Sequence, residues 1–105
     1  IVREANGLAM SSRNERLSET AREQAAVIYQ TLLRCQKDLK YQEIAALKNA
    51  ALEKLSSCPG LKVHYFEFVR AHDLKPIVSK ATSDPIRLLI AVSLGGVRLI
   101  DNIAI

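Results

Sequence analysis

Two apolar runs, Ile86 to Leu94 and Val97 to Ala104, separated only by Gly95-Gly96, constrain this chain more than any other feature. Glycine reaches positive φ without steric penalty, and a two-residue link between runs of this length closes a tight hairpin. The pair is predicted to be antiparallel. A third segment, Lys62-Val63-His64-Tyr65-Phe66-Glu67-Phe68-Val69, is rich in the aromatic and branched residues that favour strands. Pro76 and Pro85 oppose a continuous helix between it and the hairpin. Asp73-Leu74-Lys75-Pro76 is expected to turn the chain and Lys80 to Pro85 to form a loop.

Before Gly60 the apolar period is helical. Thr20, with Glu23 three residues on, has capping-box spacing, and Ala21, Ala25, Ile28 and Leu32 recur at helical intervals to about Arg34. After a polar link from Gln36 to Lys40, a second helix is predicted from about Tyr41 to Ser57, with Ile44, Leu47, Ala51 and Leu55 on one face. Cys58-Pro59-Gly60 stops it. Either apolar stripe could dock a partner, but in a small domain such a stripe normally serves its own core. Helices first and strands later predict an α+β, two-layer domain: a three-stranded antiparallel sheet whose buried face is covered by helices. The 105 residues suffice for one core, so residues 1–105 are expected to form a single domain.

Composition narrows the function classes. An apolar content of 49% with 25% charged residues fits an ordinary globular chain, and no apolar run approaches the roughly 20 residues of a membrane-spanning helix. The start lacks the apolar stretch of a signal peptide. The net charge is +4, but the fifteen basic residues are scattered among acidic ones, as in Arg22-Glu23, Lys37-Asp38 and Glu53-Lys54. That is a mixed, solvated surface, not a nucleic-acid patch. Tyr65, Phe66 and Phe68 could stack bases, yet neighbouring strand positions point to opposite faces and one face is needed for the core. Cys35 and Cys58 are too few for a disulfide framework or a zinc site and are read as free thiols of a reducing cytoplasm. His64 and His72 are read as surface or satisfied residues. Asp101 and Asn102, which interrupt an apolar strand, suit a ligand pair and a polar edge position equally.

The chemistry concentrates near the start, in Arg3-Glu4-Ala5-Asn6-Gly7-Leu8-Ala9-Met10-Ser11-Ser12-Arg13-Asn14. Two adjacent hydroxyls, a glycine turn that exposes backbone N–H groups and a planar guanidinium at Arg13 are suited to holding phosphate, and a triphosphate in particular. Turns of this composition also serve merely to start helices.

The wording of this segment resembles the nucleotide-binding turn of the pantothenate synthetase (pantoate-beta-alanine ligase) family. Gly96-Val97-Arg98-Leu99-Ile100-Asp101-Asn102-Ile103 is similar to the family's final strand, so the likeness covers nearly the whole chain. The resemblance implies that the Met-Ser-Ser-Arg turn is the counterpart of the mobile ATP-binding loop of class I aminoacyl-tRNA synthetases. Carried over by position, Val2 presents its backbone to adenine, Met10 packs on the nucleotide, and Ser11, Ser12 and Arg13 hold the phosphates. Ser11, Ser12 and Arg13 are then the catalytic candidates, with no protein-held metal. Asn6 stands where many members have aspartate.

The resemblance further implies a C-terminal ATP-lid domain of a larger ligase. Its Rossmann-type N-terminal domain, with a His-x-Gly-His-like signature, has no counterpart among these residues, and the opening on Ile1 is read as that of a fragment. The implied reaction joins pantoate to beta-alanine with ATP and its accompanying Mg2+, through a pantoyl adenylate, releasing AMP and diphosphate. The full-length protein is then expected to be a cytoplasmic homodimer without nucleic-acid or membrane partners, and the isolated fragment to be inactive. The alternative is a non-catalytic α+β interaction module that binds protein or nucleic acid.

Overall fold

The computed structural model describes residues 2–3, 7–11, 14–15, 17–39, 41–77 and 85–105. Two helices precede three strands: α1 (Glu19–Asp38), α2 (Ile44–Ser56), β1 (Leu61–Arg70), β2 (Ile86–Leu94) and β3 (Val97–Ala104). The strands form one antiparallel sheet in the order β1-β2-β3, and both helices pack on one of its faces. This is the α+β layout expected from the periodicities.

The hairpin ends where the glycines require. Leu94 pairs with Val97, and Gly95 and Gly96 have φ of 58° and 78°, the two left-handed positions that match the twist of the flanking strands. β1 joins β2 with one irregularity between Val63 and Tyr65, at His64. The His64 imidazole there meets the Ser93 hydroxyl, and His72 lies 3.6 Å from Asp73 in the turn after β1. That turn follows the expected Asp73–Pro76 stretch: Asp73 accepts hydrogen bonds from Arg70 and from the Lys75 amide, and Leu74 sits at φ 57°. Of the expected 80–85 loop, only Pro85 is among the described residues.

Three helix boundaries differ from expectation. α1 is capped by Ser18, whose hydroxyl accepts the Ala21 N–H at 3.0 Å, so Thr20 lies inside the first turn. The helix runs on to Asp38 because Gln36 and Lys37 are good helix formers on an exposed face with no breaker among them. α2 begins at Ile44 rather than near Tyr41, and its N-cap Glu43 makes no side-chain capping bond.

The expected core stripes are buried as predicted: Ala21, Ala25, Ile28 and Leu32 on α1, and Ile44, Leu47, Ala51 and Leu55 on α2. Phe66 and Phe68 lie on the covered face of the sheet, edge to face with ring centroids 6.1 Å apart. Both rings belong to the core and cannot stack bases. β3 is an outer strand, and part of its edge is occupied: Gln36 donates to the Ala104 carbonyl at 2.7 Å. Among the described residues, no helix is long and apolar enough to cross a membrane.

Both cysteines are free, Cys35 buried and Cys58 partly exposed. Burial pushes the Cys35 thiol up to about 11, and Asp38 adds to the rise while Arg34 opposes it. At pH 8 a thiol reagent is therefore expected to modify Cys58 in the native chain and to reach Cys35 only after unfolding. Because the raised pKa belongs to the folded state, the contribution of neutral Cys35 to stability is complete below its unfolded pKa near 9. It is lost as pH rises toward 11. Cys35→Ala should flatten that alkaline decline in a urea-unfolding series.

Candidate nucleotide site

The segment that carries the phosphate-suited residues is tied down at its neck. Arg3 bridges antiparallel to Ala9, and the Met10 N–H donates to the Val2 carbonyl at 2.8 Å, so the chain leaves and returns side by side. Between them Gly7 takes φ +93°, where a side chain is strained, and lies so close to Tyr29 on α1 that a Cβ would run into its ring.

Arg3 is the hub of this neck. Its two terminal nitrogens grip the Asp101 carboxylate of β3 at 2.6 and 2.9 Å, and also donate to the Gly7 carbonyl at 3.1 Å and the Asn102 carbonyl at 3.3 Å. The guanidinium carbon lies 3.9 Å from the centroid of the Tyr29 ring. The hydrogen bond to Asp101 raises the Arg3 pKa against the opposing effect of burial, so the charge is permanent. Only 3% of the Asp101 side chain is exposed; its Oδ1 also accepts the Asn102 N–H at 2.7 Å, and Arg87 donates to the Asn102 side chain. Desolvation offsets much of the Coulombic gain in a pair this buried, so its main product is geometry, not stability.

Further fastenings follow along the chain. Leu8 and Leu17 are sunk in the core. Asn14 is buried, its side-chain amide donating to the Ala9 carbonyl at 2.9 Å, and Arg22 of α1 donates to the Asn14 carbonyl at 2.9 Å. Between these anchors Met10, 56% exposed, and Ser11 project into solvent. A cavity of about 150 Å³ opens beneath them, lined by Leu8, Ser11, Ile28 and Asn14 and by β3 from Arg98 to Asp101. Val2 is exposed beside them, its carbonyl already engaged by Met10. Ser12 and Arg13 lie outside the described residues.

The structure thus brings Val2, Met10 and Ser11 together and assigns Asp101 a structural partner. Asp101 and Asn102 are not an open ligand pair: the first binds Arg3, and the second serves Arg87 and Arg3. His64 and His72 are engaged elsewhere, with Ser93 and beside Asp73. Sequence reasoning missed Arg3 and Tyr29. The only signal for them was a polar pair interrupting β3, which suits a polar edge position as well as a buried partner. Among the described residues, no group of three or more His, Cys, Asp or Glu could hold a metal ion.

A family model for pantoate-beta-alanine ligase matches residues 1–104. The chain belongs to the pantoate-beta-alanine ligase family. Pantothenate synthetase of Rhodopseudomonas palustris BisB18 is 41% identical over the whole chain, which covers 37% of that relative. The bifunctional pantoate ligase/cytidylate kinase of Synechocystis PCC 6803 is 38% identical over 99% of the chain and 21% of its own length. The crystal structure of pantothenate synthetase from Thermus thermophilus superposes with a TM-score of 0.86 at 33% identity, covering 97% of this chain and 37% of that one. Pantoate-beta-alanine ligase from Francisella tularensis, solved in complex with beta-gamma ATP and beta-alanine, superposes with a TM-score of 0.52 at 27% identity over 98% of this chain and 30% of that one. The chain therefore spans 30–37% of the length of these single-function ligases.

Proposed function

We propose that this chain is the ATP-lid portion of an AMP-forming pantoate-beta-alanine ligase and that Val2, Met10, Ser11, Ser12 and Arg13 face the nucleotide. The observation that carries this reading is the exposed Met10-Ser11 rim on a neck that is otherwise bolted to the domain. It accords with the nucleotide and beta-alanine bound to the Francisella relative.

In the first step a pantoate carboxylate oxygen bonds to the α-phosphorus of ATP, and the bond to the bridging oxygen breaks, releasing diphosphate. In the second the beta-alanine amine bonds to the acyl carbon, AMP leaves with the acyl C–O electron pair, and the amine loses a proton. Negative charge grows on the α-phosphoryl and on the departing diphosphate. The Ser11 and Ser12 hydroxyls and the Arg13 guanidinium act there as fixed donors and need form no covalent bond. Mg2+ arrives on the triphosphate as part of the substrate. The remainder of the full-length protein supplies the pantoate site, so this portion binds ATP weakly and catalyses nothing alone. The same reading places the full-length protein in the cytoplasm as a homodimer.

An amide-shift titration of the chain with Mg-ATP, against GTP and inorganic triphosphate, tests the assignment. The expected result is shifts at Val2 and from Met10 to Arg13, larger for ATP than for either control. Shifts confined to the uncovered sheet face, around Tyr65 and Ile100, would identify a docking surface instead.

A further inference from the structure

We infer that Arg3, Tyr29 and Asp101 act as one positioning clamp for the adenylation step, setting the pose of Val2, Met10 and Ser11 without touching the nucleotide themselves. The inference rests on the proposed ligase reading and adds residues to it. Both terminal nitrogens of Arg3 are committed to Asp101, Gly7 and Asn102, and one face of the guanidinium is covered by Tyr29. With 17% of its side chain exposed, it has little left to offer a ligand. What it holds is telling: the Gly7 carbonyl inside the segment, the Asn102 carbonyl and Asp101 carboxylate of β3, and the ring of an α1 residue. One planar group thus references the segment to both the sheet and the helix layer.

The consequences fall on geometry. Met10 is hydrogen-bonded to Val2, the residue immediately before Arg3, and Ser11 follows Met10. A tilt of the guanidinium therefore displaces both sides of the neck together. Misplacement of reacting groups by about 1 Å can cost on the order of 100-fold in rate, whereas a weakly held triphosphate on a solvent-facing rim tolerates such a shift. Lysine keeps the charge at position 3 but, lacking the planar fork, cannot span both carboxylate oxygens and two carbonyls at once.

The test uses the full-length ligase carrying Arg3→Lys, Asp101→Asn or both, at a temperature where circular dichroism shows each variant folded. Single-turnover formation of pantoyl adenylate and the Kd for Mg-ATP are measured on the same samples. Each single variant is expected to slow adenylate formation by about tenfold or more while the Kd moves by less than about threefold. The double variant should be no slower than the slower single, because both changes break one unit. Rates within about twofold of the unaltered protein, or a loss carried by the Kd alone, would overturn the clamp. If the unaltered protein forms no pantoyl adenylate, the ligase reading itself fails, and that outcome is separate from either result for the variants.

Discussion

Alanine in place of Arg13 in the full-length ligase is expected to lower single-turnover formation of pantoyl adenylate by on the order of 10²–10³-fold. The Kd for Mg-ATP should rise by less than about tenfold, since only contacts that strengthen in the transition state act on the chemical step. The asymmetry follows from where charge moves. In bound ATP the phosphate charge is already shared with Mg2+ and water, whereas in the transition state it concentrates on the α-phosphoryl and the departing diphosphate. Arg13 belongs to the proposed site by sequence alone, but its neighbours are placed: Met10 and Ser11 project from the neck before it, and buried Asn14 anchors the chain after it. Arg13→Lys should recover only part of the loss, because an ammonium cannot engage two phosphate oxygens in one plane. A single-turnover rate equal to that of the unaltered protein would remove Arg13 from the mechanism.

Gly7→Ala is expected to cost the domain about 2–4 kcal/mol, from steric displacement of Tyr29 plus the strain of a side chain at positive φ. A Cβ at Gly7 would stand 2.3 Å from the Tyr29 ring carbon Cδ2, 3.0 Å from Cγ and 3.2 Å from Cβ. Tyr29 is not free to swing aside at no cost, because its ring is stacked on Arg3. For a domain near this size each kcal/mol moves the thermal midpoint by about 4–8 °C, so a drop of roughly 10–30 °C is expected in a melting curve. Should the neck peel away instead of the whole domain unfolding early, hydrogen exchange will show it as lost protection of the Met10 amide, now bonded to Val2. Gly60→Ala separates the two causes, since Gly60 has φ +76° but nothing within 4 Å of the added carbon. It should show only the backbone strain. A Gly7→Ala chain with an unchanged midpoint and a protected Met10 amide would mean that Tyr29 yields cheaply.

What could be read from the residues was whatever is encoded locally. The hairpin bounds emerged to the residue because Gly95-Gly96 interrupts two otherwise unbroken apolar runs. The helix stripes emerged because their burial repeats every turn. Boundaries set by one hydrogen bond among equivalent candidates were not legible. Ser18 and Thr20 both carry a hydroxyl near the start of α1, and only the backbone direction selects Ser18. Likewise the helix propensity of Gln36 and Lys37 permits α1 to continue, but without an apolar residue to bury it does not decide between helix and polar link. Met10 and Ser11 could be singled out from their neighbours in sequence, but Arg3 could not, since its partners Tyr29 and Asp101 are close only after folding. Asp101 read equally well as a ligand or an edge residue until that cation was in place.

The pairing of residue 3 with residue 101 also bears on when this domain matures. During synthesis Arg3 emerges well before its carboxylate partner, with α1, α2, β1 and β2 between them, so both helices and the first two strands can exist while the neck has nothing to grip. A nascent chain halted within β3, before Asp101, should hold its two helices yet leave the Met10 amide open to exchange. The proposed nucleotide-facing neck is then fastened only once β3 has been made, however early its own residues emerge.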